Sequence, residues 1–124
     1  MKSALIEIKN ATAFETVADN ILSHTEEYDI VELILPDGEK NIYQECAYII
    51  YRMPICFIEN YALELLKWFQ DLNWPGVEQI FEAICRLPNS KLVPIIKKGI
   101  KTADDLQDEE WAYNLREKFE RYLA

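Results

Sequence analysis

A chain of 124 residues and 14.6 kDa has the length of one ordinary domain, and its 50 % apolar and 28 % charged residues exclude a multi-domain enzyme and a disordered tail. Only 3 Gly and 5 Pro stand against 15 aromatic residues, which suits packed helices better than a turn-dense all-β fold. Thirteen Lys and Arg against 22 Asp and Glu leave a net charge of −9; this disfavours nucleic acid and membrane as partners, because phosphate backbones and anionic lipid need a cationic surface.

From the N-terminus, Leu5-Ile6-Glu7-Ile8 is compatible with a short extended segment. Thr12-Ala13-Phe14-Glu15 has the T-x-x-E form of a capping box, and Phe14, Val17, Ala18, Ile21 and Leu22 follow at helical spacing, which predicts a helix from about Thr12 to His24. Tyr28 to Leu35 is a short apolar run whose β-branched residues admit a strand, while Asp29 as an N-cap favours a short helix ending before Pro36. Pro36-Asp37-Gly38 is a turn signal, after which Ile42, Cys46, Ile49, Ile50 and Met53 recur at helical steps up to a break at Pro54. Pro54 suits the opening of the next helix, whose apolar face is Ile58, Ala62, Leu65, Leu66 and Phe69 and whose end falls near Leu72. Asn73 suits a left-handed terminator, and Pro75 suits the first turn of a following helix with the face Val77, Ile80, Phe81, Ile84 and Leu87.

Pro88-Asn89-Ser90 ends that helix, and Ser90 is a candidate cap for the next, which packs Leu92, Val93, Ile95, Ile96 and Ile100 with Pro94 tolerated near its start. Asp104-Asp105-Leu106-Gln107-Asp108 reads as a polar linker whose last member caps a final helix with the face Trp111, Leu115, Phe119 and Tyr122. No linker divides the chain. The expected fold is a single all-α domain over residues 1–124, an α-solenoid of about six or seven short helices in antiparallel pairs.

Cys46, Cys56 and Cys85 are odd in number, widely spaced and set in apolar sequence, without a CxxC or a Cys/His pair for zinc, and read as buried, reduced thiols. Glu7 puts a carboxylate where a signal peptide needs its apolar stretch, and the most apolar window, Ala47 to Ile58, is broken by Arg52 and Pro54 and too short to span a bilayer. A cytoplasmic protein is therefore expected. Residues 1–62 carry 4 basic and 11 acidic groups and residues 63–124 carry 9 and 11, so the negative field is concentrated in the N-terminal half.

The stretch Leu65-Leu66-Lys67-Trp68-Phe69-Gln70-Asp71-Leu72-Asn73-Trp74-Pro75-Gly76 resembles the L-L-x-W-[LF]-Q-D-x-N-W-P signature of a bacterial domain family of unknown function, made of small HEAT-like helical proteins. The likeness continues through Leu92-Val93-Pro94-Ile95-Ile96 and Asp108-Glu109-Glu110-Trp111-Ala112-Tyr113 and covers roughly residues 60–124, although the segment Asp104 to Gln107 is longer than the family's usual one. The resemblance implies HEAT-like helical pairs over residues 46–124, leaves the N-terminal helices of residues 1–45 unmatched, and implies no activity.

Trp68, Asp71, Asn73, Trp74 and Pro75 form the motif corner. A carboxylate and an amide beside two indoles have the composition of a small binding pocket. Side-chain oxygens at such corners more commonly satisfy orphan backbone groups while the indoles pack, which makes a structural role the stronger reading. Some HEAT-like proteins are DNA glycosylases with Asp and Trp in the site, but those need a basic groove. His24 is the single histidine and has no Ser, Cys or Asp partner at a recognisable spacing. Glu26, Glu27, Asp29 and Glu32 form an acidic run without the alternating carboxylates and central Gly of a calcium loop, and Gly38, Gly76 and Gly99 are too isolated for a phosphate loop. No catalytic set, metal or cofactor is expected.

Lys91, Lys97, Lys98 and Lys101 concentrate positive charge on one helix, explained first by its dipole, then by pairing with acids, then by partner contact. Tyr43, Tyr48, Tyr51 and Tyr61 crowd one stretch, as core or as interface hot spots. The leading expectation is a non-enzymatic protein-binding module using Glu26, Glu27, Asp29, Glu32, Tyr43, Tyr48 and Tyr51, with an acidic immunity or inhibitor protein for a basic partner as its concrete form. The alternatives are a small enzyme or ligand-binding protein at the Asp71, Asn73 and Trp74 corner, and a domain that self-associates through its tyrosines.

Overall fold

Ser3 decides how the chain begins. Its Oγ accepts from the Ile6 N–H at 3.2 Å, so Ala4–Lys9 winds into a helix, α1, and the extended geometry is confined to Lys2–Ser3, β1. Leu5–Ile8 is thus helical, not extended. Strand β1 pairs in parallel with Tyr28–Asp29, β2, placing Lys2 opposite Tyr28 and Ser3 opposite Asp29. The Ser3 hydroxyl donates to Glu32 Oε2 at 2.9 Å and the Leu5 N–H donates to the same oxygen at 3.2 Å, so a carboxylate sits at the positive end of α1. The computed structural model describes residues 1–34 and 40–124, and the turn expected at Pro36-Asp37-Gly38 lies outside the described residues.

Helix α2, Phe14–Ser23, starts later than the capping box requires. Its Val17 N–H bonds to the Ala13 carbonyl and Ala13 occupies the cap position, so Thr12 stands one residue too early to cap. The run from Tyr28 divides between the two geometries its composition admits. Pairing with β1 holds Tyr28–Asp29 extended, and Ile30–Leu33 then coils into a 3₁₀ turn that buries Ile30 and Leu33, with no side-chain cap from Asp29.

Helices α3, Tyr43–Tyr51, and α4, Ile55–Leu65, bury the faces that periodicity marks, with Ile42, Cys46, Ile49, Ile50, Met53, Ile58, Ala62, Leu65, Leu66 and Phe69 all buried. Beyond Leu65 the chain tightens into the 3₁₀ segment Leu66–Gln70, turns through residues 71–76 and enters α5, Val77–Ile84. Helix α6, Asn89–Asp105, is longer than expected at both ends. Pro88, not Ser90, precedes it, with a carbonyl that accepts from Lys91 and Leu92 at 2.9 Å, and Asp104 and Asp105 belong to its last turn. The left-handed residue that ends α6 is Gln107 at φ 58°, so the linker shrinks to residues 106–108. Asp108 caps α7, Glu109–Lys118, by accepting from the Trp111 N–H at 3.0 Å, and a short α8, Glu120–Leu123, follows a break at Phe119.

The described residues are mostly helical, with eight α-helices and the single two-residue parallel pair. Helix α3 packs on α5, α4 on both α5 and α6, α6 on α7, and α7 on the Leu66–Gln70 segment. Buried residues from Ala4 to Phe119 form one contiguous cluster, with Phe119 packed against Phe69 and Phe81 at ring separations of 5.3 and 5.2 Å. Two glycines set the closest approaches. A Cβ on Gly99 of α6 would meet Leu66 Cδ1 at 2.5 Å, and one on Gly76 would meet the Ala47 Cβ of α3 at 2.5 Å. Gly76 also has φ 90°, a conformation that L-residues adopt at a cost of roughly 1–2 kcal/mol. Gly76→Ala combines that strain with a clash inside the core, and urea unfolding is expected to show a loss of at least about 2 kcal/mol; an unchanged midpoint contradicts this packing.

Candidate functional site

The motif corner is built from backbone needs. In the Leu66–Gln70 segment the Trp111 indole N–H donates to the Leu66 carbonyl at 3.0 Å, and Asn114 Nδ2 donates to the Phe69 and Gln70 carbonyls at 2.9 and 3.4 Å. Trp68, fully buried, donates its indole N–H to the Ile34 carbonyl. Asp71 Oδ1 accepts from the Asn73 N–H at 2.9 Å, an Asx turn, and the Trp74 N–H returns to the Asp71 carbonyl at 3.1 Å. The Val77 N–H then reaches the Trp74 carbonyl at 3.3 Å across Pro75 and Gly76. With Pro at its second position and Gly at φ 90°, ψ −5° at its third, this is a type II turn. Pro75 therefore belongs to the turn and not to the first turn of α5, and Gly76, not Asn73, is the left-handed residue, because the turn demands it one residue after Pro. Asn73 is exposed and Asp71 half-buried.

Tyr43 is buried at this corner, its ring 5.2 Å from Trp68 and 5.4 Å from Trp74, and offers no surface to a partner. Tyr48 is half-buried edge-on to Phe14 and accepts from Arg52, whose guanidinium also pairs with Asp19 at 3.0 Å. Tyr51 is exposed. The four acidic candidates separate: Glu26 and Glu27 are exposed, Asp29 is half-buried, and Glu32 is engaged at α1.

Glu26 and Asp29 line a cleft of about 430 Å³ between two walls. Strand β2 and its flanking 3₁₀ turns form one wall, including Tyr28, Ile30 and Val31; the α3–α4 corner and the first turns of α4 form the other, with Met53, Pro54, Cys56, Phe57, Asn60 and Tyr61. A neighbouring cleft of about 320 Å³ shares Val31 and Tyr61 and runs on to Glu64 and Lys67, so the two make one furrow along α4. Each wall is braced from outside. Arg86, past the end of α5, donates to the Tyr51 and Met53 carbonyls at 2.9 and 3.1 Å and fixes the α3–α4 corner. Asn20 donates to the Tyr28 hydroxyl at 2.8 Å, and the Lys2 ammonium lies 5.5 Å from the Tyr28 ring centre. Phe57 and Tyr61, one turn apart on α4, pack at 4.8 Å beside the buried Ile58–Ala62–Leu65 stripe.

Sequence reasoning missed Cys56, Phe57 and Asn60 as surface groups. The available signal was the second stripe on α4, Cys56 with Asn60 and Phe57 with Tyr61, each four residues apart. The thiols differ from one another: Cys46 is buried, Cys56 is exposed in the cleft, and Cys85 is half-buried, where burial pushes its thiol pKa up. The lysines of α6 do not serve its dipole, because Lys91 stands in its first turn and no cation in its last. Lys91 pairs with Glu59 at 2.5 Å and Lys101 with Asp105 at 2.8 Å. Among the described residues no group of three or more His, Cys, Asp or Glu is placed to hold a metal ion, and no helix is long and apolar enough to cross a membrane.

The structure is mostly helical and carries an open furrow lined by apolar side chains together with Glu26, Asp29, Glu64 and Lys67. Residues 55–124 match the family described as a domain of unknown function (DUF5071), and the chain belongs to that family. No curated protein and no solved structure matches the chain. The family segment begins at the first residue of α4, so the motif corner and α7 lie inside it while the furrow straddles its edge.

Two outcomes test this geometry. Asp71→Ala removes the Asx turn and is expected to lower stability by about 0.5–1.5 kcal/mol in urea unfolding, with Asp71→Asn, which keeps the acceptor, closer to the parent chain. A colorimetric thiol reagent on the native protein should show a single fast thiol, and Cys56→Ser should abolish that phase; a fast phase that survives the substitution places the exposed thiol elsewhere.

Proposed function

We propose that this chain is a non-enzymatic protein-binding module that takes a basic partner on the furrow beside α4. The observation that carries the reading is the furrow's composition: an apolar floor that includes Met53, Ile30 and Val31, with the carboxylates of Glu26 and Asp29 at its edge. These carboxylates stand in the half of the chain where 11 acidic groups face 4 basic ones, a field that attracts a cationic surface before contact. An acidic immunity or inhibitor protein acting in the cytoplasm on a basic toxin or enzyme is the concrete form of this proposal. A HEAT-like arrangement is part of the same reading. Next-but-one packing of α3 on α5 and of α4 on α6, together with the neighbour pairs α4–α5 and α6–α7, is the pattern that stacked helical pairs produce.

The test begins with affinity purification of the tagged chain at low and moderate salt and then measures association of the purified partner by stopped flow. Glu26→Lys with Glu27→Lys is expected to slow association by about tenfold at low salt, with a much smaller effect at high salt. Glu32 is kept unchanged in this experiment because it holds the start of α1. An on-rate that ignores the reversal removes steering from the proposal.

A further inference from the structure

Resting on the protein-binding reading, we infer that the furrow is built for one kind of anchor: an arginine or lysine side chain of a basic partner segment. The cation sits among Glu26, Asp29 and the Phe57–Tyr61 ring pair, and a neighbouring aliphatic side chain of the same segment lies on the floor. Three observations point there. The rings of Phe57 and Tyr61 are only partly buried and line the cleft, and aromatic faces attract cations through their quadrupole.

Charge accounting selects the cation further. Asp19, Glu59, Glu78, Asp104 and Asp105 are each paired with one of the chain's own cations, and Glu32 is committed to α1. No ion pair reaches Glu26 or Asp29 among the described residues, and they give their end of the furrow a negative edge, while Glu64 and Lys67 line its far end. The floor supplies the remaining preference: Val31 is 53 % exposed, an aliphatic side chain standing in water beside the buried Ile30 and Met53. Both carboxylates lie before residue 55, whereas both rings lie within the family segment.

The experiment uses the full chain, isotope-labelled for NMR, and a capped Arg-Leu-Arg-Leu-Arg peptide as the probe, with Glu-Leu-Glu-Leu-Glu and free spermidine as comparisons. Shifts are expected to concentrate in residues 25–31 and 53–61, with no binding of the acidic peptide and at most weak competition by spermidine. Glu26→Gln with Asp29→Asn is expected to weaken the arginine peptide about fivefold, and Tyr61→Leu about threefold. Glu109→Gln with Glu110→Gln removes the same charge from the start of α7 and is expected to change affinity by less than about 1.5-fold. Shifts spread over the acidic surface, equal weakening by the α7 pair, or displacement of the peptide by equimolar spermidine overturns the inference. So does a concentration-dependent mass that both Glu26→Gln/Asp29→Asn and Lys97→Glu/Lys98→Glu reduce, because that assigns the furrow to a second copy. A partner recovered by affinity purification and bound equally by the Glu26→Gln/Asp29→Asn chain also overturns the furrow site while leaving the protein-binding reading intact.

Discussion

The carbonyls of Leu66, Phe69 and Gln70 have to be satisfied inside the core, and the rest of the fold is arranged around that need. A chain that leaves the α-helical path in a buried segment loses the bonds its carbonyls would have made, and each buried orphan costs about 1–3 kcal/mol. Asn114, some 45 residues downstream, supplies a donor to the Phe69 and Gln70 carbonyls at the end of the run, and Trp111 adds one to the Leu66 carbonyl, both from one side of α7. Asn114 is the buried polar residue among those described, and its placement follows from this demand. Against a net stability that for such domains is on the order of 5–15 kcal/mol, three such bonds are a large share.

The same segment also reaches in the other direction. Trp68 donates to the Ile34 carbonyl, which ends the 3₁₀ turn carrying Ile30 and Val31. One wall of the furrow is therefore hung on the motif segment, and Arg86 clamps the other from the end of α5. These bonds join α7, the motif corner and the furrow, and Lys67 of the motif segment itself lines the furrow's far end. Glu32 completes the frame by tying β1 and α1 to the same 3₁₀ turn.

What was legible in the sequence was local. The buried faces of α3 and α4 follow from three- and four-residue spacing, and the Asp108 cap follows from a side-chain oxygen three residues before the amide it serves. The misreadings share the opposite character. Residues 28–29 become a strand because residues 2–3 are available to pair with them, and no window around Tyr28 contains that fact. Leu5–Ile8 is helical because Ser3 and the distant Glu32 satisfy its first turn. Asn73 lost the left-handed position because Pro75 and Gly76 make a stronger turn two residues on. Crowding leaves Tyr43 open between core and interface, and the two indoles of the corner take it into the core. The furrow was illegible for the same reason, since its walls are contributed by residues some thirty positions apart.

This division separates the two candidate sites physically. The distinctive residues of the motif corner are occupied with the backbone, since Asp71 holds the Asn73 amide, Pro75 and Gly76 make the turn, and Trp68 holds Ile34. A ligand at that corner would have to compete with the bonds that shape it. In the furrow the polar groups are relieved of such duties, because Arg86 and Asn20 brace the walls from outside and the chain's ion pairs fall elsewhere. Glu26, Asp29, Cys56 and Asn60 can then change without cost to a turn or a cap, which is the freedom a surface needs if its side chains are to be matched to a partner.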